Sequence, residues 1–298
     1  MFKRLLVPLD GSRLAEAALP AAVLLAQKAG SSVALLHIIE KGAPRQVHGE
    51  RHLTNADEAS AYLAEVARRL PPDVPVERHV HSLETADVAR GIADHLLELR
   101  QDTVVMAAHG HGGLRHVLFG NIAQQVVALG TLPVLLVHPD GDFACRRILL
   151  PHDGVAEHEP ALEVGMELAC RTAAEVRLVM VVPTTGTLAG VQATASQMLP
   201  RATRLMLDLA GEEGAAHLRA HADELCSKGL KAGTEVRRGD PVAEILAAAQ
   251  EFAADVIVLG THGKAGAKAF WEGSVAAPVA TKATASLLFV PVGGSAPA

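Results

Sequence analysis

Aromatic side chains are nearly missing from this 298-residue chain, at 3% of the total. An interior without rings must be filled by Val, Leu, Ile and Ala, which is the composition of an α/β protein whose buried parallel strands read as aliphatic runs. Cysteine is scarce as well. Cys145, Cys170 and Cys226 stand far apart with no Cys-x-x-Cys pair, which argues against a disulfide framework and a cysteine zinc site. No apolar run approaches the ~20 residues that span a bilayer, and the N-terminus leads into a strand pattern rather than a signal peptide. The expectation is a cytoplasmic protein with no membrane partner. Clustered Lys and Arg with interleaved aromatics are also missing and the formal net charge is −6, so no nucleic-acid groove is expected. Small molecules and proteins are the partners that remain.

Apolar material is ample: 49% of residues are hydrophobic and 20% charged, enough for buried cores without extensive disorder. The length suits two domains, and internal similarity shows where they divide. Arg4-Leu-Leu-Val-Pro-Leu-Asp-Gly11 aligns with Arg147-Ile-Leu-Leu-Pro-His-Asp-Gly154, and the register holds through Val33–Ile39 against Val176–Val182. Farther on, Asp102-Thr-Val-Val-Met-Ala-Ala-His-Gly110 aligns with Asp255-Val-Ile-Val-Leu-Gly-Thr-His-Gly263 after the second copy has gained ten residues.

Each copy reads as aliphatic strands alternating with amphipathic helices, the pattern of βαβ units. Strands are expected at 4–9, 33–39, 76–80, 103–107 and 133–138, then at 147–152, 176–182, 233–237, 256–260 and 286–292. Helices are expected at 13–29, 55–70, 85–99 and 120–129, then at 157–172, 201–228, 241–253 and 274–283. The stretch 139–144, with a Pro, a Gly and two Asp, reads as a linker and sets the boundary near 142, giving domains 1–142 and 143–298. The Thr/Gly/Ala-rich stretch 184–195 and its counterpart 41–53 read as loops, the former mobile, at the sheet edge where ligands bind.

The fourth strand of the second copy runs into Gly260-Thr-His-Gly263 and, after nine residues, Gly273-Ser274. Glycines directly after a strand let backbone N–H groups approach an anion, and Gly273 and Ser274 sit at an expected helix start, whose free N–H groups and positive dipole end favour phosphate. A lone Gly-x-x-Gly would be mere turn punctuation. Here a Gly-Ser pair lies at a helix start and the layout recurs in the first copy, so a phosphate cradle is favoured. It is neither a P-loop nor a dinucleotide fingerprint.

The chain resembles a tandem universal stress protein over its whole length. Nucleotide-binding members of that family carry Gly-x2-Gly-x9-Gly-Ser/Thr, matched by Gly260, Gly263, Gly273 and Ser274, and an Asp after the first strand, matched by Asp153 and Asp10. The resemblance implies two tandem domains, each a five-stranded parallel sheet in the order 3-2-1-4-5 with helices on both faces. Asp153 and Gly260 would then face each other across a crevice, with Asp153 toward the ribose hydroxyls or the metal-linked phosphates and the backbone around Val181 and Val182 toward the adenine edge. The candidate ATP-binding set is Pro151, Asp153, Val181, Val182, Leu259, Gly260, His262, Gly263, Lys264, Gly273, Ser274 and Val275. Helix N-capping remains an alternative role for Asp10 and Asp153.

The copies are not equivalent. Ala107 replaces the family glycine, where its methyl would point near the ribose or phosphate path, and Asn121 replaces Ser or Thr. A weaker first-domain site is expected from Asp10, Ile38, Ala107, Gly110, Gly120 and Asn121. No catalytic residue and no resident metal are expected, and Mg2+ would arrive with the phosphates. His217 and His221, four apart on an expected helix, read as a solvated face, because two ligands alone make a weak site.

Three functions follow from the resemblance: an ATP-binding stress-response regulator with an unidentified protein partner, a slow Mg-dependent ATPase or nucleotide hydrolase, or a nucleotide-free scaffold. In the family the fifth strands of two domains pair, here 133–138 with 286–292, which protects their edges. Further association of two such chains would give a homodimer.

Overall fold

The computed structural model describes residues 1–43, 46–47, 49–108, 121–139, 143–188, 190–262 and 274–292. The strands are β1 (Arg4–Pro8), β2 (Ser32–Glu40), β3 (Gln46–Val47), β4 (Glu50–Arg51), β5 (Val76–Thr85), β6 (Thr103–Ala107), β7 (Val134–Val137), β8 (Arg147–Pro151), β9 (Glu175–Val182), β10 (Ala232–Arg238), β11 (Val256–His262) and β12 (Ser286–Val292). The helices are α1 (Arg13–Glu16), α2 (Leu19–Ala29), α3 (Ala56–Arg69), α4 (Val88–Glu98), α5 (Asn121–Leu129), α6 (Glu159–Thr172), α7 (Gly190–Met198), α8 (Pro200–Ser227), α9 (Pro241–Phe252) and α10 (Ala276–Lys282).

The expectation was a five-stranded parallel sheet in each half, with the fifth strands of the two halves paired. The halves do join through that pair, into one mixed ten-stranded sheet in the order β10-β9-β8-β11-β12-β7-β6-β1-β2-β5, with β3 and β4 apart as a small hairpin. Its seam is the antiparallel pair β12 and β7, with Leu287 opposite Leu136, Leu288 opposite Leu135 and Phe289 opposite Val134. Every other pairing in this sheet is parallel.

Alternation along the strands sorts the core into two layers. Leu5, Val7, Leu135, Leu150, Leu178, Val258 and Leu288 face the layer that holds α2, α6 and α8 residues. Leu6, Leu36, Leu136, Leu149, Ile257, Leu259 and Leu287 face the layer of α4, α5, α9 and α10. Both layers run through both copies, so the seam buries apolar surface as continuously as the strands on either side of it.

Local chemistry explains the element ends. Side-chain caps start four of the described helices, where Ser12 accepts from Ala15 N–H at 3.1 Å, Asn55 from Asp57 N–H at 2.7 Å, Asp87 from Arg90 N–H at 2.8 Å and Asp240 from Ala243 N–H at 2.9 Å. The aspartates that open the second pair of aligned segments are clamps at the far edge of the sheet. Asp102 accepts from the backbone N–H groups of Lys3 and Arg4, and Asp255 likewise from those of Arg146 and Arg147.

Some boundaries differ from expectation. The helix expected over 13–29 breaks between α1 and α2, where Pro20 opens the second helix. The loop expected at 184–195 contains the start of α7, and the loop at 41–53 carries the β3–β4 hairpin. The linker 139–144 lies partly outside the described residues. Among those described, no helix is long and apolar enough to cross a membrane.

Candidate functional site

In the second half, β8 ends at Pro151 and the chain turns through His152, Asp153 and Gly154 into α6. Gly154 takes φ +81°, a left-handed conformation that side chains rarely adopt, and a Cβ there would lie 3.3 Å from Met180 Cε. The turn is tied by its own polar groups. Gly154 N–H donates to His152 Nδ1 at 3.0 Å and Val155 N–H to Asp153 Oδ1 at 3.1 Å. Asp153 is therefore not the cap of α6, and in the first half the cap is Ser12, which Asp10 holds through its hydroxyl at 2.7 Å.

Beside this turn opens a cleft of about 410 Å³, within the size range of small-molecule sites. The end of β9, from Met180 to Pro183, forms one wall, α8 forms another through Leu207, Ala210, Glu213, Gly214 and His217, and Asp153 and Gly154 stand at the mouth. Glycine lets α8 come this close: a Cβ at Gly214 would lie 2.0 Å from Met180 Sδ. The cleft opens at the C-terminal ends of β8 and β9, the edge at which doubly wound sheets bind ligands.

Asp153 and the end of β11 meet through His158. Its Nδ1 lies 2.9 Å from both Asp153 oxygens, and its Nε2 lies 3.2 Å from His262 Nε2. Deeper in, His152 is buried and its pKa is lowered, because burial penalises the imidazolium more than Glu159 and Asp153 favour it.

The remaining candidates divide. Val181 and Val182 line the cleft. Leu259 is 4% exposed with its side chain in the core layer of α9 and α10, so it has only backbone to offer a ligand. A Cβ at Gly260 would meet Val292 at 3.3 Å and Ala161 at 3.5 Å, so this glycine serves the approach of α6 to β11. Ser274 accepts from Ala277 N–H at 3.3 Å, which leaves its hydroxyl proton free to donate, and Val275 beside it is exposed. Gly263, Lys264 and Gly273 lie outside the described residues.

The first half differs at the same place. A Cβ at Gly11, the counterpart of Gly154, would stand 2.9 Å from Leu53 Cδ1, so the Leu53 side chain covers the turn after Asp10. His37, the counterpart of Met180, is 1% exposed and holds that cover down, with Nδ1 2.7 Å from Leu9 O and Nε2 3.0 Å from Leu53 O. Ile38 is buried in the opposite core layer. The Ala107 methyl, expected near a ribose or phosphate path, is instead packed in the core with Leu5 and Val137, because the alternation of β6 turns it toward the helices. Gly110 and Gly120 lie outside the described residues, as does the side chain of Asn121.

Sequence spacing gave no sign of His152, His158 or the α8 wall as parts of this site. Two signals were present in Gly211 and Gly214, spaced three apart on a helix, where small residues permit close packing against a neighbouring strand.

Fold and cleft together define a duplicated, doubly wound α/β protein with, among the described residues, a ligand-sized opening at the ligand edge of its second half. The sequence pattern of the universal stress protein family matches residues 1–138 and again 144–291, and the chain belongs to that family. A universal stress protein of Mycolicibacterium smegmatis is 24% identical over 296 residues, covering 96% of each chain. Another, from Synechocystis, is 32% identical over 138 residues, 46% of this chain and 86% of that protein. Among solved structures, a universal stress protein from Archaeoglobus fulgidus superposes with a TM-score of 0.71 at 17% identity, covering 98% of both chains, a likeness of fold.

Proposed function

We propose that this protein is an ATP-binding regulator of the stress response in the cytoplasm, holding nucleotide mainly in its second domain. In this reading the domains span 1–142 and 143–298, each with its strands in the order 3-2-1-4-5. The observation that carries the proposal is the cleft of about 410 Å³ beside Asp153, set against the covered turn beside Asp10.

The residues present fit the nucleoside end of such a ligand. Met180, Val181, Val182, Pro183 and Leu207 offer apolar surface to a flat base, and Asp153, with its side chain 54% exposed, can accept from ribose hydroxyls. Two carboxylates, Asp153 and Glu213, line the cleft and disfavour phosphate inside it. The phosphates are therefore assigned to the glycine-rich segment 263–273 and to the Ser274 hydroxyl at the start of α10, with Lys264 for charge. When bound, Mg2+ would neutralise phosphate charge. The motif offers no arginine for the transition state, so regulation is favoured over a slow ATPase.

Two measurements test this. Titration with Mg-ATP is expected to give one site per chain, lost in Gly273→Asp. Phosphate release is expected to stay at background, whereas turnover abolished by Gly263 and Ser274 substitutions would make the protein an ATPase. A chain that binds no nucleotide would be a scaffold for protein partners.

A further inference from the structure

Behind the cleft, three elements far apart in sequence bring ligand-type side chains together. His152 comes from the turn after β8, Glu159 opens α6, and His217 sits midway along α8. Their ligand atoms lie within 4.8 Å of one another, and among the described residues they form the one such group of three. We infer that His152, Glu159 and His217 bind a divalent transition-metal ion, Zn2+ by the chemistry of the set.

The distances suit a metal. His217 Nε2 lies 2.8 Å from Glu159 Oε1 and His152 Nε2 lies 3.8 Å from the same oxygen. Those values bracket the ~3.4 Å that separates two ligands of a tetrahedral ion with bonds of about 2.1 Å. Side-chain adjustment closes the set, whose ligand atoms all lie within 4.8 Å of one another.

A second observation is independent of spacing. The Nε2 atoms of both histidines are buried without a hydrogen-bond partner, and the His152 side chain is 2% exposed. The His217 nitrogen is near the carboxylate oxygen yet not aligned to donate to it, as expected of two atoms that share a third point. Buried polar atoms rarely go unpaired, and a metal satisfies both nitrogens together.

Two imidazoles and a carboxylate suit zinc, whereas Mg2+ favours oxygen ligands and retained water. His221, one turn beyond His217 on the same face of α8, lies 3.5 Å from Glu159 Oε2 and is available for a fourth position. His217 also lines the cleft, so the ion would stand at its back wall.

Proton placement adds a consequence. Gly154 N–H donates to His152 Nδ1, so in the metal-free neutral ring the proton is on Nε2. To ligate, the ring moves that proton to Nδ1 through solvent and gives its Nε2 lone pair to the ion. The Gly154 hydrogen bond is given up, which couples metal loading to the turn that carries Asp153.

The test uses the untagged full chain, stripped with chelator and titrated without nucleotide, so it is independent of ATP binding. Calorimetry is expected to show one Zn2+ per chain and no matching heat with Mg2+, and Co2+ is expected to give visible d–d absorption. The isosteric Glu159→Gln and the helix-surface His217→Ala should each weaken Zn2+ at least tenfold, while His79→Ala on β5 should match wild type. Circular dichroism identifies any variant that misfolds, in which case the other variant decides. No Zn2+ heat and no Co2+ bands at millimolar metal, or folded Glu159→Gln and His217→Ala chains that bind as tightly as wild type, would overturn the inference.

Discussion

The two halves share strand order and core layers but treat the same corner in opposite ways. After β8 the corner is open, walled by an α8 of 28 residues, and after β1 it is covered by Leu53, ahead of an α3 of 14 residues. The residue beneath differs to match. Met180 is a flexible side chain on the wall of a cleft, while His37 faces two backbone carbonyls that fasten the cover. A neutral ring can donate to one of those carbonyls only, and the imidazolium to both. Duplication has thus kept the scaffold and changed the occupant of the corner, from open space in one half to the chain itself in the other.

The comparison can be broken most severely at the seam. Leu288 is fully buried opposite Leu135, and Leu288→Ala is expected to cost about 2–5 kcal/mol. Because both core layers cross the seam, urea unfolding should remain one transition that moves to lower urea. Two separated transitions would mean that the halves are independent.

The cover itself comes next. Leu53→Ala removes a half-buried side chain and should cost about 1–2 kcal/mol, below the roughly 2–5 kcal/mol of a fully buried leucine. It opens space above Gly11, so titration should detect a weak second ATP site in this variant and none in wild type. If the variant binds no additional ATP, the difference between the halves lies in the loops and not in the cover.

A subtler change acts on the open corner. The Cβ of Gly214→Ala would fall 2.0 Å from Met180 Sδ, forcing that side chain toward the cleft it lines. ATP affinity should fall by about tenfold, on the scale of an overpacking cost of about 1–3 kcal/mol. Unchanged affinity would mean that nucleotide does not use this wall.

The smallest expected effect concerns Cys145, buried beside Thr172, where burial pushes its thiol from 9.0 up to about 12. The unfolded thiol ionises first, so the native form binds more protons through this window and stability falls as pH rises from 9.0 toward about 12. Cys145→Ala should flatten that part of the alkaline slope. In native protein iodoacetamide should label the exposed Cys170 and Cys226 and spare Cys145.

Much of the fold was legible because the chain repeats itself. Aligned Val/Leu/Ile runs located the strands, and the aligned prolines and aspartates fixed where each half turns at its ligand edge. Breaks were harder to read. The α1–α2 interruption near Ala17 and Ala18 carries no glycine, and α7 is hidden in a run of Thr, Gly and Ala that resembles loop composition. The site was legible only where it is local. Asp153 stands just past β8 and Val181 and Val182 end β9, whereas His152, Glu159 and His217 meet through tertiary packing, which no spacing along the chain encodes. The inequality of the halves was read from Ala107 and Asn121, yet the Ala107 methyl lies in the core and the Asn121 side chain lies outside the described residues. The physical difference lies in Leu53, whose role depends on the path of a hairpin.

The central claim is that one corner binds nucleotide and the other is filled by its own chain. Calorimetric titration of the intact wild-type chain with Mg-ATP tests it most directly. The account predicts a stoichiometry of one, lost when Asp153 is changed to Ala and kept when Asp10 is changed to Ala. Two equivalent sites, or a single site that Asp10→Ala abolishes and Asp153→Ala spares, would contradict it.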